Sequence, residues 1–319
     1  FNADFDDPNG RNASDDVKAE IVKLKAQNIK GIILDVRNNG GGSLTEVVDI
    51  VGLFMKNGPV VQIKDPNGRI NILRNKTNSP VWEGPLVIMQ NEFSASASEI
   101  LAGAMKDYGR AVVVGSPHSY GKGTVQTFAD LNRFMNSTDD FGSIKLTIQK
   151  FYRVNGKSTQ LKGVDADIPM NDFFSYSEIG ERYRDNALPW DQIPTTRFTP
   201  VGTLNISSLQ KNSQDRMSKN SNYQLLLESA QWREKLDKEE KITLNLNKFN
   251  KLMKSRKDQI KKFKSLSKYD NKLVFTLHKD EQTRGKKDEV FAKKSESWLK
   301  NLKRDLFLEE TVNVISEMK

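Results

Sequence analysis

Three short apolar runs constrain this chain more than any other feature: Gly31-Ile32-Ile33-Leu34-Asp35-Val36, Leu86–Met89 and Ala111–Val114. Each is shorter than an ordinary helix, and unbroken apolarity marks a strand buried on both faces, the habit of parallel sheets. Helical patterns run between them. Val17, Ile21 and Leu24 recur at helical spacing behind Ser14, the expected N-cap, with Asp15 and Asp16 in the first turn. From about Ser43, Leu44, Val47, Val48, Val51 and Phe54 share one face, and Glu99–Tyr108 reads as another helix. Strands alternating with helices predict an α/β layered domain. Val60–Ile63 and Ile70–Leu73 flank Asn67-Gly68 and predict a hairpin. Gly142–Val154 alternates through Ile144, Leu146 and Ile148, which predicts a half-buried strand turning at Asn155-Gly156. Asp7-Pro8-Asn9-Gly10 signals a turn.

A length of 319 residues, 36% of them hydrophobic, suggests two domains, or one large domain with an appendage. Composition changes near residue 170. The expected division is a core over 1–170, an irregular linker over 171–203 with Pro189, Pro194 and Pro200, and a mainly helical domain over 204–319. In the last, Leu225–Leu236, Leu252–Leu266 and Val290–Leu302 read as charged amphipathic helices, while Ile242–Leu246 and Val274–Leu277 are too short to classify. The absence of cysteine excludes disulfides, thiolate metal sites and a cysteine nucleophile. A net charge of +9 raises acidic partners, nucleic acid among them. The Lys-rich stretch Lys254–Lys268 lacks the interleaved aromatic residues of a stacking platform, so a solvated helix face is the better reading and no nucleic acid is expected.

Three segments can carry chemistry. Phe93-Ser94-Ala95-Ser96-Ala97-Ser98-Glu99 lies between a buried strand and a helix, where a serine is exposed beside free N–H groups. A plain N-cap is the bland alternative, and the residues do not choose among Ser94, Ser96 and Ser98. A nucleophilic serine needs a base. His278 stands in the charged C-terminal segment without a motif, and His118 lacks a signalled orienting carboxylate. Lys122 is the stronger candidate: Gly121 and Gly123 flank it, letting the backbone approach closely and aim one side chain. Burial against apolar walls lowers a lysine pKa, and the neutral amine can then take a serine proton. Asp35-Val36-Arg37-Asn38-Asn39-Gly40-Gly41-Gly42 exposes backbone N–H groups after a strand. It lacks the spacing of a phosphate loop, which favours an oxyanion hole.

Together, the runs Asp35–Gly42, Phe93–Glu99 and Gly121–Gln126 resemble the C-terminal processing peptidases, and within them the periplasmic tail-specific branch. Phe151–Gly156, Lys162-Gly163-Val164, Asp185–Trp190 and Glu310–Asn313 fit the same branch. The resemblance implies a crotonase-like α/β core followed by a mainly helical C-terminal domain. It implies Ser96 as nucleophile, Lys122 as base, Gln126 as the partner orienting the lysine, and an oxyanion hole from Gly41 or Gly42 with Ala97. It implies protein substrates with nonpolar C-terminal tails and a periplasmic or envelope location. Adaptor binding or self-association belongs to the same picture. Neither a metal nor a cofactor is expected. The family carries a PDZ domain and an N-terminal helical region before the glycine run; the expectation is that this chain is a piece lacking both. The loop Ser116–Tyr120 reads as one residue longer than the family's.

Overall fold

The computed structural model describes residues 1–3, 10–133 and 140–318. The turn expected at residues 7–10 lies mostly outside them. By its contacts the chain divides into two units: one of Phe1–Pro169 with Glu178–Leu204, the other of Met170–Ser177 with Asn205–Lys319. The stretch expected as a linker is thus shared out, and most of it belongs to the first unit.

The first unit is built on two sheets. The three apolar runs form β1 (Ile32–Asp35), β4 (Leu86–Gln90) and β5 (Val112–Gly115). With the short β8 (Ile168–Pro169) they make a sheet of order β1-β4-β5-β8, every pairing parallel. Leu86, Val87, Ile88 and Met89 are fully buried, as are Val112, Val113 and Val114, the burial their unbroken apolarity predicts. Helices α1 (Ala13–Lys25), α2 (Leu44–Gly52) and α3 (Ala97–Asp107) accompany this sheet. Asn12 rather than Ser14 caps α1: its side chain accepts the Asp15 N–H at 2.8 Å. The helix expected from about Ser43 forms with Ser43 as its cap, and Val47 and Val51 of its apolar face are fully buried.

The second sheet has order β3-β2-β7-β6 and is antiparallel throughout. Its hairpin β2 (Gly58–Lys64) and β3 (Ile70–Asn75) forms around Asn67-Gly68 as predicted. β6 (Thr124–Asp130), which begins two residues after Lys122, carried no apolar pattern in the sequence. β7 (Ser143–Tyr152) departs from its half-buried reading, because Ile144, Leu146 and Ile148 are exposed, and burial starts only at Phe151. At the far end of α3, Arg153 forms a bidentate ion pair with Asp107, to which Asn155 Nδ2 also donates at 2.8 Å. This pairing ties the β7 turn to the helix that carries the serines.

The second unit is helical. It contains α4 (Ile206–Lys219), α5 (Ser221–Asp237), α6 (Leu246–Phe263), α7 (Lys279–Gly285), α8 (Glu289–Lys303) and α9 (Leu306–Glu317). Buried Glu310 on α9 accepts two hydrogen bonds from Arg216 Nε and one from Nη2, while Nη1 of the same arginine pairs with Glu317. His278, without a motif in the sequence, has a structural role: its Nδ1 accepts the Asp280 N–H and caps α7. Among the described residues no helix is long and apolar enough to cross a membrane.

Candidate active site

The three serines around the start of α3 separate by environment. Ser94 is buried, its hydroxyl donating to Val36 O at 2.8 Å and accepting the Asn91 N–H at 2.9 Å. Ser98 is buried as well and donates to Asn39 O at 2.9 Å. Ser96 is only half-buried, and its hydroxyl donates to no described residue. It stands at the strand-to-helix turn with φ 57° and ψ −113°, a backbone conformation that L-residues avoid. Strain of this kind persists only where the surroundings over-determine it. Here Ala95 N–H is held by Asn39 O at 3.0 Å, and Ser96 N–H by Glu99 Oε2 at 2.8 Å.

The glycine run leaves β1 and packs against this turn. Asn38 and Asn91 clasp the two loops: Asn38 N–H donates to Asn91 Oδ1, and Asn91 Nδ2 donates back to Asn38 Oδ1, each at 2.9 Å. Gly41, at φ +104°, lies so close that a Cβ would meet the Ser96 Cβ at 2.7 Å and the Ala97 N at 2.9 Å. Only glycine allows both the conformation and the approach. Gly41 N–H donates to Asn39 Oδ1 at 3.0 Å. Among the described residues, the N–H groups of Gly42 and Ala97 meet no acceptor.

The segment bearing Lys122 comes to the same place. Ser119 N–H donates to Val164 O and Tyr120 N–H to Ser94 O at 3.0 Å. On the other flank, Leu161 N–H donates to Gly121 O, Thr159 Oγ1 to Lys122 O, and Gly123 N–H to Gln160 Oε1. The loop, read as longer than usual, is therefore fastened along its length.

One residue joins all of this. Glu99 is fully buried, in the first turn of α3. Its Oε1 accepts from Ser119 Oγ at 2.6 Å and Gly121 N–H at 2.7 Å. Its Oε2 accepts from Ser96 N–H at 2.8 Å and Lys122 N–H at 3.0 Å. A single oxygen thus holds the backbone nitrogens of Ser96 and Lys122 within about 6 Å of one another. Sequence reasoning gave Glu99 no such role, although the spacing Ser96-Ala97-Ser98-Glu99 is that of a capping box and was there to be read. Burial pushes the Glu99 pKa up to about 7, against four donated hydrogen bonds that pull it down.

Burial likewise lowers the Lys122 pKa, the direction a base requires, and the charge of Lys145 adds to it. Gln126 sits exposed on β6, just past a bulge between Val125 and Gln126. Among the described residues no hydrogen bond joins the Lys122 amine to the Ser96 hydroxyl or to Gln126. His118 is half-buried and bridges to Asp165 through backbone pairing, with its Nδ1 on Ser119 O at 3.1 Å.

Comparison with known proteins places this arrangement. The model of peptidase family S41 matches residues 3–170, more than half of the chain. The chain belongs to peptidase family S41. The C-terminal domain of tail specific protease matches residues 174–319. Among curated relatives, a tail-specific protease of Haemophilus influenzae is 40% identical over 261 residues, covering 80% of this chain and 37% of that protein. A chloroplastic carboxyl-terminal-processing peptidase 2 of Arabidopsis thaliana is 34% identical over 169 residues, covering 53% of this chain and 31% of that protein. The chain thus spans about a third of the length of these relatives. Among solved structures, a photosystem II D1 C-terminal processing protease aligns at 31% identity and TM-score 0.44, covering 50% of this chain and 39% of that one. The expected α/β core and helical C-terminal region are both present.

Proposed function

We propose that this chain carries the catalytic site of a serine endopeptidase in which Ser96 is the nucleophile and Lys122 the general base. The observation that carries the reading is the shared Glu99 oxygen, which brings the strained Ser96 turn and the Lys122 loop to one point. Neutral Lys122 takes the Ser96 proton as Oγ attacks the carbonyl carbon of a peptide bond. The negative charge that develops on the carbonyl oxygen is met by the N–H of Ala97 and one from the glycine run. Among the described residues Gly42 N–H is unengaged, whereas Gly41 N–H must first leave Asn39. The Lys122 ammonium then gives its proton to the leaving amine, and water, deprotonated by the same amine, hydrolyses the acyl-enzyme. Gln126 is the proposed orienting partner of Lys122.

By family, the substrates are proteins with nonpolar C-terminal tails, met in the bacterial periplasm or envelope, with a PDZ domain, an N-terminal helical region and adaptor or self-association as partners. The test is a tail-bearing protein incubated with the intact protein and with its Ser96→Ala variant. Cleavage by the first alone is expected; equal cleavage by both ends the assignment. The missing hydrogen bond between Ser96 and Lys122 favours a second reading, in which this chain by itself is a resting arrangement that serves as a module. Cleavage by this chain alone excludes that reading.

A further inference from the structure

The stretch Gly180–Leu188 closes over the outer side of the loop that bears Lys122. Its contacts gather on Tyr120, two residues before the lysine. Glu181 N–H donates to Tyr120 O at 2.9 Å. Gly180, at φ +127°, approaches so closely that a Cβ would lie 2.7 Å from that same oxygen, so no other residue fits the contact. Arg184 Nε donates to the Tyr120 hydroxyl at 3.0 Å, and its guanidinium lies 5.9 Å from the Tyr120 ring centre. Arg182 Nη2 reaches Lys162 O at 3.1 Å on the neighbouring loop. From the inner side Tyr120 is held by Ser94, so the segment leading to the lysine is gripped between the serine turn and this outer stretch.

The outer stretch also brings charge. The Glu181 carboxylate is 3.7 Å from Arg184 Nε, with the Glu181 side chain 16% and the Arg184 side chain 68% exposed. With Arg184 largely in water and the two groups 3.7 Å apart, the ion pair itself adds little to stability. Both residues line a cavity of about 490 Å³ together with Thr124, Gln126 and Asp185. The pair therefore faces the space beside the strand that follows Lys122.

We infer that Glu181 and Arg184 are positioning residues for the catalytic base: through Tyr120 they hold the Lys122 loop, and as an opposed pair they set the charge that the Lys122 amine faces. This rests on the assignment of Lys122 as the base. The charged groups felt by that amine are Lys145 on β7, Glu99 on α3, and Glu181 and Arg184 on the outer stretch. The first and last favour the neutral amine, and the two carboxylates oppose it.

The acidic limb of the kcat/KM profile, which follows loss of the Lys122 proton, reads the inference out. Removing a carboxylate lowers the lysine pKa, so Glu181→Gln moves the limb to lower pH. Removing the guanidinium raises it, so Arg184→Gln moves the limb to higher pH. Each shift is expected to be a few tenths of a pH unit, the size for one solvent-facing charge, and to collapse in about 1 M salt. Arg184→Lys keeps the charge and restores the limb. Tyr120→Phe frees Arg184 and lowers kcat a few-fold. Limbs that coincide with wild type, or that move the same way in both variants, overturn the inference. Ser96→Ala and Lys122→Ala are run alongside. If both abolish cleavage while the limbs stay put, the positioning role falls and the dyad stands; if either still cleaves as wild type, the base assignment falls and the inference with it.

Discussion

Glu99 does what neither Ser96 nor Lys122 could do alone. Three of its four donors are backbone N–H groups, which cannot reverse their role, and they occupy both carboxylate oxygens. An amide in its place sets an NH2 against an N–H whichever way it is turned. Glu99→Gln is therefore expected to lower kcat by about 100-fold, the cost of misplacing reacting groups by about 1 Å, in a protein that still folds. The same substitution has a signature in stability. With the folded pKa raised from 4.5 to about 7, Glu99 contributes stability that is complete below pH 4.5 and lost as pH rises through about 7. The contribution is on the order of 3 kcal/mol, and denaturation midpoints measured across that window are expected to lose this slope in the variant. A slope unchanged by the substitution contradicts the account. Residue by residue, the sequence offered candidates more readily than their placement. Motif and resemblance led to Ser96, but the physical distinction from Ser94 and Ser98 lies in hydroxyl partners contributed by Val36 and Asn39, more than 50 positions away.

At the scale of elements, what was legible is what is buried on all sides. β4 and β5 were readable because a strand covered on both faces is apolar almost throughout, with Gln90 and Gly115 only at their ends; β1, at the sheet edge, is apolar through Leu34 although only Ile32 is buried. β6 was missed for the converse reason. Its Thr124-Val125-Gln126-Thr127-Phe128-Ala129-Asp130 is buried only at Thr124 and carries no period-two pattern. β7 shows the pattern without the burial: its alternation through Ile144, Leu146 and Ile148 falls on a hairpin that stands away from the core, so periodicity correctly marked the strand and misjudged what covers it. Leu146→Thr is expected to change stability by no more than about 0.5 kcal/mol. Leu86→Ala, at a fully buried position of β4, is expected to cost about 2–5 kcal/mol. Chemical denaturation of the two variants checks the contrast, and a large loss in Leu146→Thr means that this face is covered.

Across the whole chain, the two family matches meet between residues 170 and 174, close to where the contacts first divide, at Pro169 and Met170. The composition shift near residue 170 marked that point. It could not show that 178–204 returns to the first unit, because prolines and polar residues look alike in a free linker and in a strap hydrogen-bonded to Tyr120. The net charge of +9 fits the many exposed lysines of α6 and α8 and needs no nucleic acid to explain it. The proposed activity turns on one serine. The most direct measurement is covalent labelling of the intact protein with an electrophilic peptide probe, with the adduct located by mass spectrometry. The adduct is expected on Ser96, absent in Ser96→Ala and strongly slowed in Lys122→Ala. An adduct on Ser94 or Ser98, or labelling of Ser96 at an undiminished rate without Lys122, contradicts the assignment.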